Sequence, residues 1–296
     1  MASANPWLSG AGFDAYRSAG WRYLGLVAVF LVLAVEVVAK AGGAGTPQAA
    51  SAPNLTSYIN KPVPASLLTT LKTASQDGLK FKGGPALLSV GAKLPGAKAA
   101  PKGPATVYYY GADFCPYCAA ERWATVVTLL RFGSLSGLQY MMSNPNDVFP
   151  NTPTFTFATT KVQSPYLAFN EAEVANRTDT AAFQKPSPAL NAAFTAYNTA
   201  KYVGAAAGDI PFLDVANRYE WVGAPYRPSQ LKGVAWATIA KGLVSTARSG
   251  KGQSNYESIL RTANLFSAAI CSTDGGRPAS VCTAPGVVAA KGDLPK

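Results

Sequence analysis

The tetrapeptide Cys115-Pro116-Tyr117-Cys118 constrains this chain more than any other feature, because it lies where a strand hands over to a helix. Upstream, Thr106-Val107-Tyr108-Tyr109-Tyr110 is β-branched and aromatic and predicts a buried strand. Downstream, Ala119 to Phe132 predicts a helix, closed by Gly133. Two cysteines in a first helical turn have their sulfurs within bonding reach. The unpaired N–H groups and dipole of the helix terminus then favour a thiolate on Cys115. That arrangement suits a dithiol cycling between reduced and oxidised forms.

The four cysteines fall into two pairs, 115/118 and 271/282. An even count in an exported chain predicts one reactive and one structural disulfide, the latter joining Cys271 to Cys282; a second redox pair is the alternative reading of 271/282. Histidine is absent from all 296 residues, which excludes His-based acid–base catalysis, His-ligated zinc or haem, and Cys–His proteases. Zinc sites need two close cysteine pairs, and 271/282 are too far apart, so no metal and no cofactor are expected. Met141-Met142 reads as core. The formal charge of +11 is spread thinly. Its densest part is residues 53–104, where seven lysines face the single acid Asp77. Without aromatic interleaving or a nucleic-acid motif this is a solvated basic stretch, and no nucleic-acid partner is expected.

Near the front, Tyr23 to Ala39 is apolar apart from Glu36 and follows Arg17 and Arg22. The positive flank predicts a cytoplasmic N-terminus with the rest exported. The uninterrupted part, Leu24 to Val35, is shorter than the ~20 residues of a full span. An uncleaved anchor is the preferred reading. A signal peptide cut near Ala39, Ala41 or Ala44 is the alternative, which would make the protein secreted. The expected layout is a leader over 1–22, an anchor or signal segment over 23–41, and a basic, partly flexible tether with a short helix over 42–104. A main domain covers 105–285, with an insert over about 144–205, and a tail closes the chain.

Within this layout Ser66–Ala74 predicts a short amphipathic helix. Leu138–Met142 predicts a second strand parallel to the first. Thr154–Thr160 and Val162–Asn170 predict a hairpin. Residues 171–202 read as mostly helical, most clearly over Ala189–Ala200. After Ile210-Pro211 a strand begins, as proline requires, and Arg218–Gly223 is expected to pair with it antiparallel. Helices are expected over about Gln230–Ala247 and Asn255–Ile270. The fold class is α/β: a central mixed sheet flanked by helices.

Taken together, strand, C-P-Y-C, helix, strand, insert, Ile-Pro before a strand, second strand and closing helices, the pattern resembles the thioredoxin superfamily. Cys115-Pro116-Tyr117-Cys118 resembles glutaredoxins, and Phe114-Cys115-Pro116-x-Cys118 resembles periplasmic disulfide-bond oxidases. Over Tyr109–Trp123, Phe149–Phe157 and Ala268–Cys282 the chain is similar to a membrane-anchored prokaryotic thioredoxin-like family of unknown function. The resemblance implies a thioredoxin-like fold and a thiol–disulfide oxidoreductase. Cys115 would be the attacking, partly exposed cysteine and Cys118 the buried resolving one. Pro211 would be a cis-proline facing the dithiol, with Ile210 pairing to an incoming peptide and Pro116 and Tyr117 on the client-binding face. The implied partners are thiols and disulfides of exported proteins and a membrane redox partner that recycles the dithiol. A redox-inactive peptide-binding or chaperone-type module is the rival reading. One departure stands out: thioredoxins carry a buried carboxylate under the dithiol where this chain has Tyr109, leaving Asp113 and Glu121 as the nearest acids.

Overall fold

The computed structural model describes residues 54–95 and 103–296, and the apolar segment Tyr23–Ala39 lies outside them. Among the described residues no helix is long and apolar enough to cross a membrane. The architecture is mixed α/β. Helix α1 (Ala65–Asp77) comes first, then a short strand β1 (Ala92–Lys93) and the seven-residue β2 (Ala105–Gly111). β2 sits inside a five-stranded sheet. Its parallel neighbour is β7 (Leu167–Glu173), in register from Ala105 opposite Leu167 to Gly111 opposite Glu173. On its other side β8 (Phe212–Val215) runs antiparallel, followed by β9 (Tyr219–Val222) and finally β1.

Alternation along the strands gives the two sheet faces different partners. Tyr110 points to one face and stacks on Phe194 of α3 (Pro188–Tyr197), with ring centroids 4.1 Å apart. Tyr109 points to the other and meets Phe157 edge-on at 5.0 Å. On that second face Trp221 packs against Phe266 of the long helix α6 (Ser254–Thr273) at 4.9 Å.

Packed against α6 is α2 (Pro116–Phe132), of which every residue but Tyr117 is buried. A helix apolar or satisfied all round belongs in an interior. Cys115 caps its start, its sulfur accepting the Cys118 N–H at 3.2 Å, and Pro116 occupies the first position, where no donor is lost. At the other end Lys72 of α1 reaches the carbonyls of Leu130 (2.5 Å) and Gly133 (3.2 Å), satisfying acceptors left over by the helix. Gly133 is extended there, at φ −173°, and not left-handed. Glycine is required for space, since a Cβ would fall 2.2 Å from the Gln163 carbonyl oxygen.

Several sequence expectations need correction. Residues 139–142 form β4 (Gln139–Met142), which pairs antiparallel with β5 (Pro153–Thr156) in a separate two-stranded sheet. The parallel partner of β2 is β7, whose first residues, 167–170, were expected at the end of the second arm of a hairpin. The intervening β6 (Lys161–Gln163) pairs instead with β3 (Ser134–Ser136). The segment read as helical from 171 starts as the end of β7, and helix appears at Pro188–Tyr197 and in the short α4 (Ala200–Val203). The expected helix from Gln230 begins at Trp236, after a 3-10 turn over Pro228–Leu231 (α5, Trp236–Ser249).

Residues 54–95 are not a tether. Leu71 and Ala74 of α1 are fully buried against the domain, Ser75 donates to the Val127 carbonyl of α2 at 2.9 Å, and β1 closes the sheet edge. Leu71→Ala is therefore expected to lower unfolding stability by ~2–5 kcal/mol, read by chemical denaturation. An unchanged midpoint would return this region to the status of a tether.

Candidate functional site

The strand β2 ends at Gly111, and Ala112, Asp113 and Phe114 carry the chain to Cys115 at the mouth of α2. Both Cys115 and Cys118 are free thiols. The Cys115 thiol faces the Ile210 carbonyl at 3.7 Å. Ile210–Pro211 is a cis peptide, as expected, and lies immediately before β8. The fold thus gathers Cys115, Cys118, Ile210 and Pro211, contributed from positions 95 residues apart. Pro116 is buried in the first helical turn, and Tyr117 is half-buried with its ring edge-on to Phe149 at 5.8 Å.

Exposure differs from expectation. Cys115 is as inaccessible as Cys118, both at 0%. The reason is packing. Ala112, Phe114, Cys115, Cys118 and Ala175 form one apolar cluster, edged by Tyr117, Val174 and Ile210. Ala175 continues past the end of β7 and is held by an Asp113 N–H bond to its carbonyl at 3.1 Å.

A buried ionic group lies beneath the dithiol. Arg122, one turn beyond Cys118, pairs through two nitrogens with Glu173 at the end of β7. It also donates to the Ala112 carbonyl at 2.7 Å, and Asp113 stands 3.6 Å away. Burial pushes the Cys118 thiol well above its ordinary range; Cys115 adds to the shift and Arg122 opposes it. Glu121 is fully buried and neither of its oxygens has a hydrogen-bond partner. Its carboxyl is held well above the usual range by burial first and by Cys118 second. Tyr109 is also fully buried, so β2 brings no carboxylate to the dithiol from that position. The sequence placed Asp113 and Glu121 near the dithiol but gave no sign of the part played by Arg122 and Glu173, because their pairing spans 51 residues. The one legible hint was a charged pair, Glu121-Arg122, inside an otherwise apolar helix.

Cys271 and Cys282 are bonded to one another, with Cα atoms 5.5 Å apart. They tie the end of α6 to the short helix α7 (Ala279–Cys282). The broad open concavity lined by Thr69, Thr73, Lys241 and Arg248 lies between α1 and α5 and includes no dithiol residue.

With the geometry in place, comparison with known families gives one result. The chain belongs to the family described as Domain of unknown function (DUF929), whose profile matches residues 91–272. No curated protein and no solved structure matches the chain.

Among the carboxyls that burial holds above their ordinary range, Asp113 and Asp214 are raised to about 7, and Glu171 and Glu220 to about 8. A raised folded-state value means the folded protein keeps protons that the unfolded chain releases. Their contribution is fully present at or below the ordinary carboxylate range, near pH 4, and is lost as pH rises through 7–8. The thermal midpoint is therefore expected to be higher at pH 5 than at pH 8 at matched ionic strength. A midpoint that rises over this interval would contradict the assignment.

Proposed function

We propose that this protein is a thioredoxin-like thiol–disulfide oxidoreductase acting through Cys115 and Cys118. The observation that carries the reading is local. A free sulfur caps a buried helix, accepts a backbone N–H from the second cysteine of the same turn, and faces the carbonyl of Ile210. The strand order β9-β8-β2-β7, with β7 parallel to β2 and the other pairings antiparallel, is the arrangement expected of that superfamily and supports the reading. So do the helix after the dithiol and the position of Ile210-Pro211.

In this reading the Cys115 thiolate attacks a client disulfide. A Cys115–client disulfide forms, and the other client sulfur leaves as a thiolate that takes up a proton. Cys118, once deprotonated, attacks the Cys115 sulfur, releasing the second client thiolate. The dithiol is oxidised to a disulfide and the client is reduced by two electrons; the reverse sequence oxidises a client dithiol. Clients would be exported proteins, with a membrane redox partner or small thiols restoring the dithiol. Anchoring through residues 23–41 belongs to the same proposal.

The burial of Cys115 favours a second reading, a thioredoxin-like module that binds peptides without exchange. Incubating the Cys118→Ala variant with a disulfide-bonded client or oxidised glutathione separates the two. Exchange chemistry is expected to trap a mixed disulfide on Cys115, absent when Cys115 is also alanine. Failure to trap any adduct, even after prolonged incubation, would leave the binding module as the better account.

A further inference from the structure

Two segments lie near the dithiol, of which the one through Val174 and Ala175 packs in the cluster around Cys115, and one side chain joins them. The first is the loop after β4, residues 143–153, which approaches the dithiol through the Asn144 N–H bond to the Phe114 carbonyl at 2.8 Å. The second continues from β7 through Val174 and Ala175, turns, and returns at Ala182 and Phe183. An Ala175–Ala182 bridge and the Phe183 N–H bond to the Val174 carbonyl at 3.0 Å hold it together. Arg177, at the turn of the second segment, reaches across to the first. Its Nε donates to the Met142 carbonyl at 3.0 Å, and its Nη2 donates to the Asn151 side-chain oxygen at 2.6 Å.

We propose that residues 174–183 form a gate over Cys115, latched shut by Arg177 across the dithiol mouth. This inference rests on the exchange reading for its purpose, though not for its geometry. Both acceptors of the latch are neutral oxygens, so it lacks the ion pairing that Arg122 has with Glu173. The cover also ends in a turn whose residues 179–182 are exposed, which is where local opening concentrates. The rest of the site is fixed far more firmly, since β7 up to Glu173 is locked by sheet pairing and by Arg122. Unlatching loosens the turn beyond Ala175, while Ala175 is still held by the Asp113 N–H bond to its carbonyl and Val174 by its own N–H bond to the Gly111 carbonyl at 2.8 Å, so full opening breaks these bonds as well. Phe183 and Val148, one on each segment, are already 52% and 60% exposed. A client that parts the two segments meets apolar side chains on both sides of the sulfur. Gating of this kind would slow the reaction of the reduced dithiol with small oxidants and favour a partner that displaces the cover.

The test is the carbamidomethylation rate of Cys115 in the reduced full chain, mapped by peptide mass, in three proteins. Arg177→Ala removes the latch and is expected to label about tenfold faster than wild type, the effect of losing a pair of hydrogen bonds of ordinary strength. Asn151→Asp puts a carboxylate opposite the guanidinium and is expected to label several-fold slower, with the slowing reduced by added salt. Aspartate tolerates the left-handed backbone at this position, φ 53°. Cys118 serves as the fold control: if it labels as quickly as Cys115 in Arg177→Ala, that variant has unfolded and Asn151→Asp alone decides. Equal Cys115 labelling in all folded variants would overturn the gate. Oxidised glutathione given to the same proteins with Cys118 also replaced by alanine, so that a mixed disulfide is not resolved, keeps the two ideas apart. Mixed disulfide formation without a latch effect leaves the exchange reading standing and removes the gate. A latch effect with no mixed disulfide in any variant does the opposite.

Discussion

The fold depends on helix α2 and on how its two buried arginines find partners. It is buried all round, yet it carries Glu121, Arg122, Thr125, Thr128 and Arg131, so its polar groups need partners brought by other elements. Arg122 finds Glu173 on β7 and the Ala112 carbonyl before the dithiol. Arg131 finds the Ser75 carbonyl on α1 and the Ser267 hydroxyl on α6. Thr128 donates to Ala124 within the helix. Each buried cation thereby fixes the relative position of elements far apart in sequence. A lone buried charge is costly, and removing one partner of a buried pair typically costs ~3–5 kcal/mol.

The same arrangement shapes the chemistry proposed for the dithiol. With no histidine in the chain, the positive influence on Cys118 comes from Arg122 and from the helix itself. Glu121 stands one turn beyond Cys118 without a hydrogen-bond partner. Asp113 is claimed by Arg122 and by a hydrogen bond from Thr156. Tyr109, on the strand before the dithiol, brings an aromatic ring packed on Phe157 and no carboxylate. The acidic groups near this dithiol therefore come from the helix, from the loop before it and, through Glu173, from the end of β7.

How much of this was legible in the chain itself varies with the range of the interactions. The strand–dithiol–helix unit is local, and its strand and helix appear within a residue or a few of their expected ends. The short run after Pro211 and its antiparallel neighbour are likewise a local pairing, and both are present. The β-rich stretch 138–170 was misassigned, because four short β segments there allow several pairings with similar alternation. Choosing among them required knowing that β2 takes β7 as its parallel neighbour, leaving β4 and β5 to each other. Leu71 and Ala74 of α1 gave a weak periodic signal amid lysines, and only their burial shows that the domain begins well before residue 105.

The chain alone determined where two sulfurs share a helical turn, that no imidazole serves them, which pair forms the other disulfide, and where a proline precedes a strand. Those are properties of neighbouring residues and of composition. Only the tertiary structure decided that Cys115 is covered, that Arg122 and Glu173 lie beneath it, and that Arg177 joins the two segments beside it. Each of these is a contact across tens of residues, and a long-range contact exists only once the sheet register and helix packing have fixed both partners in space.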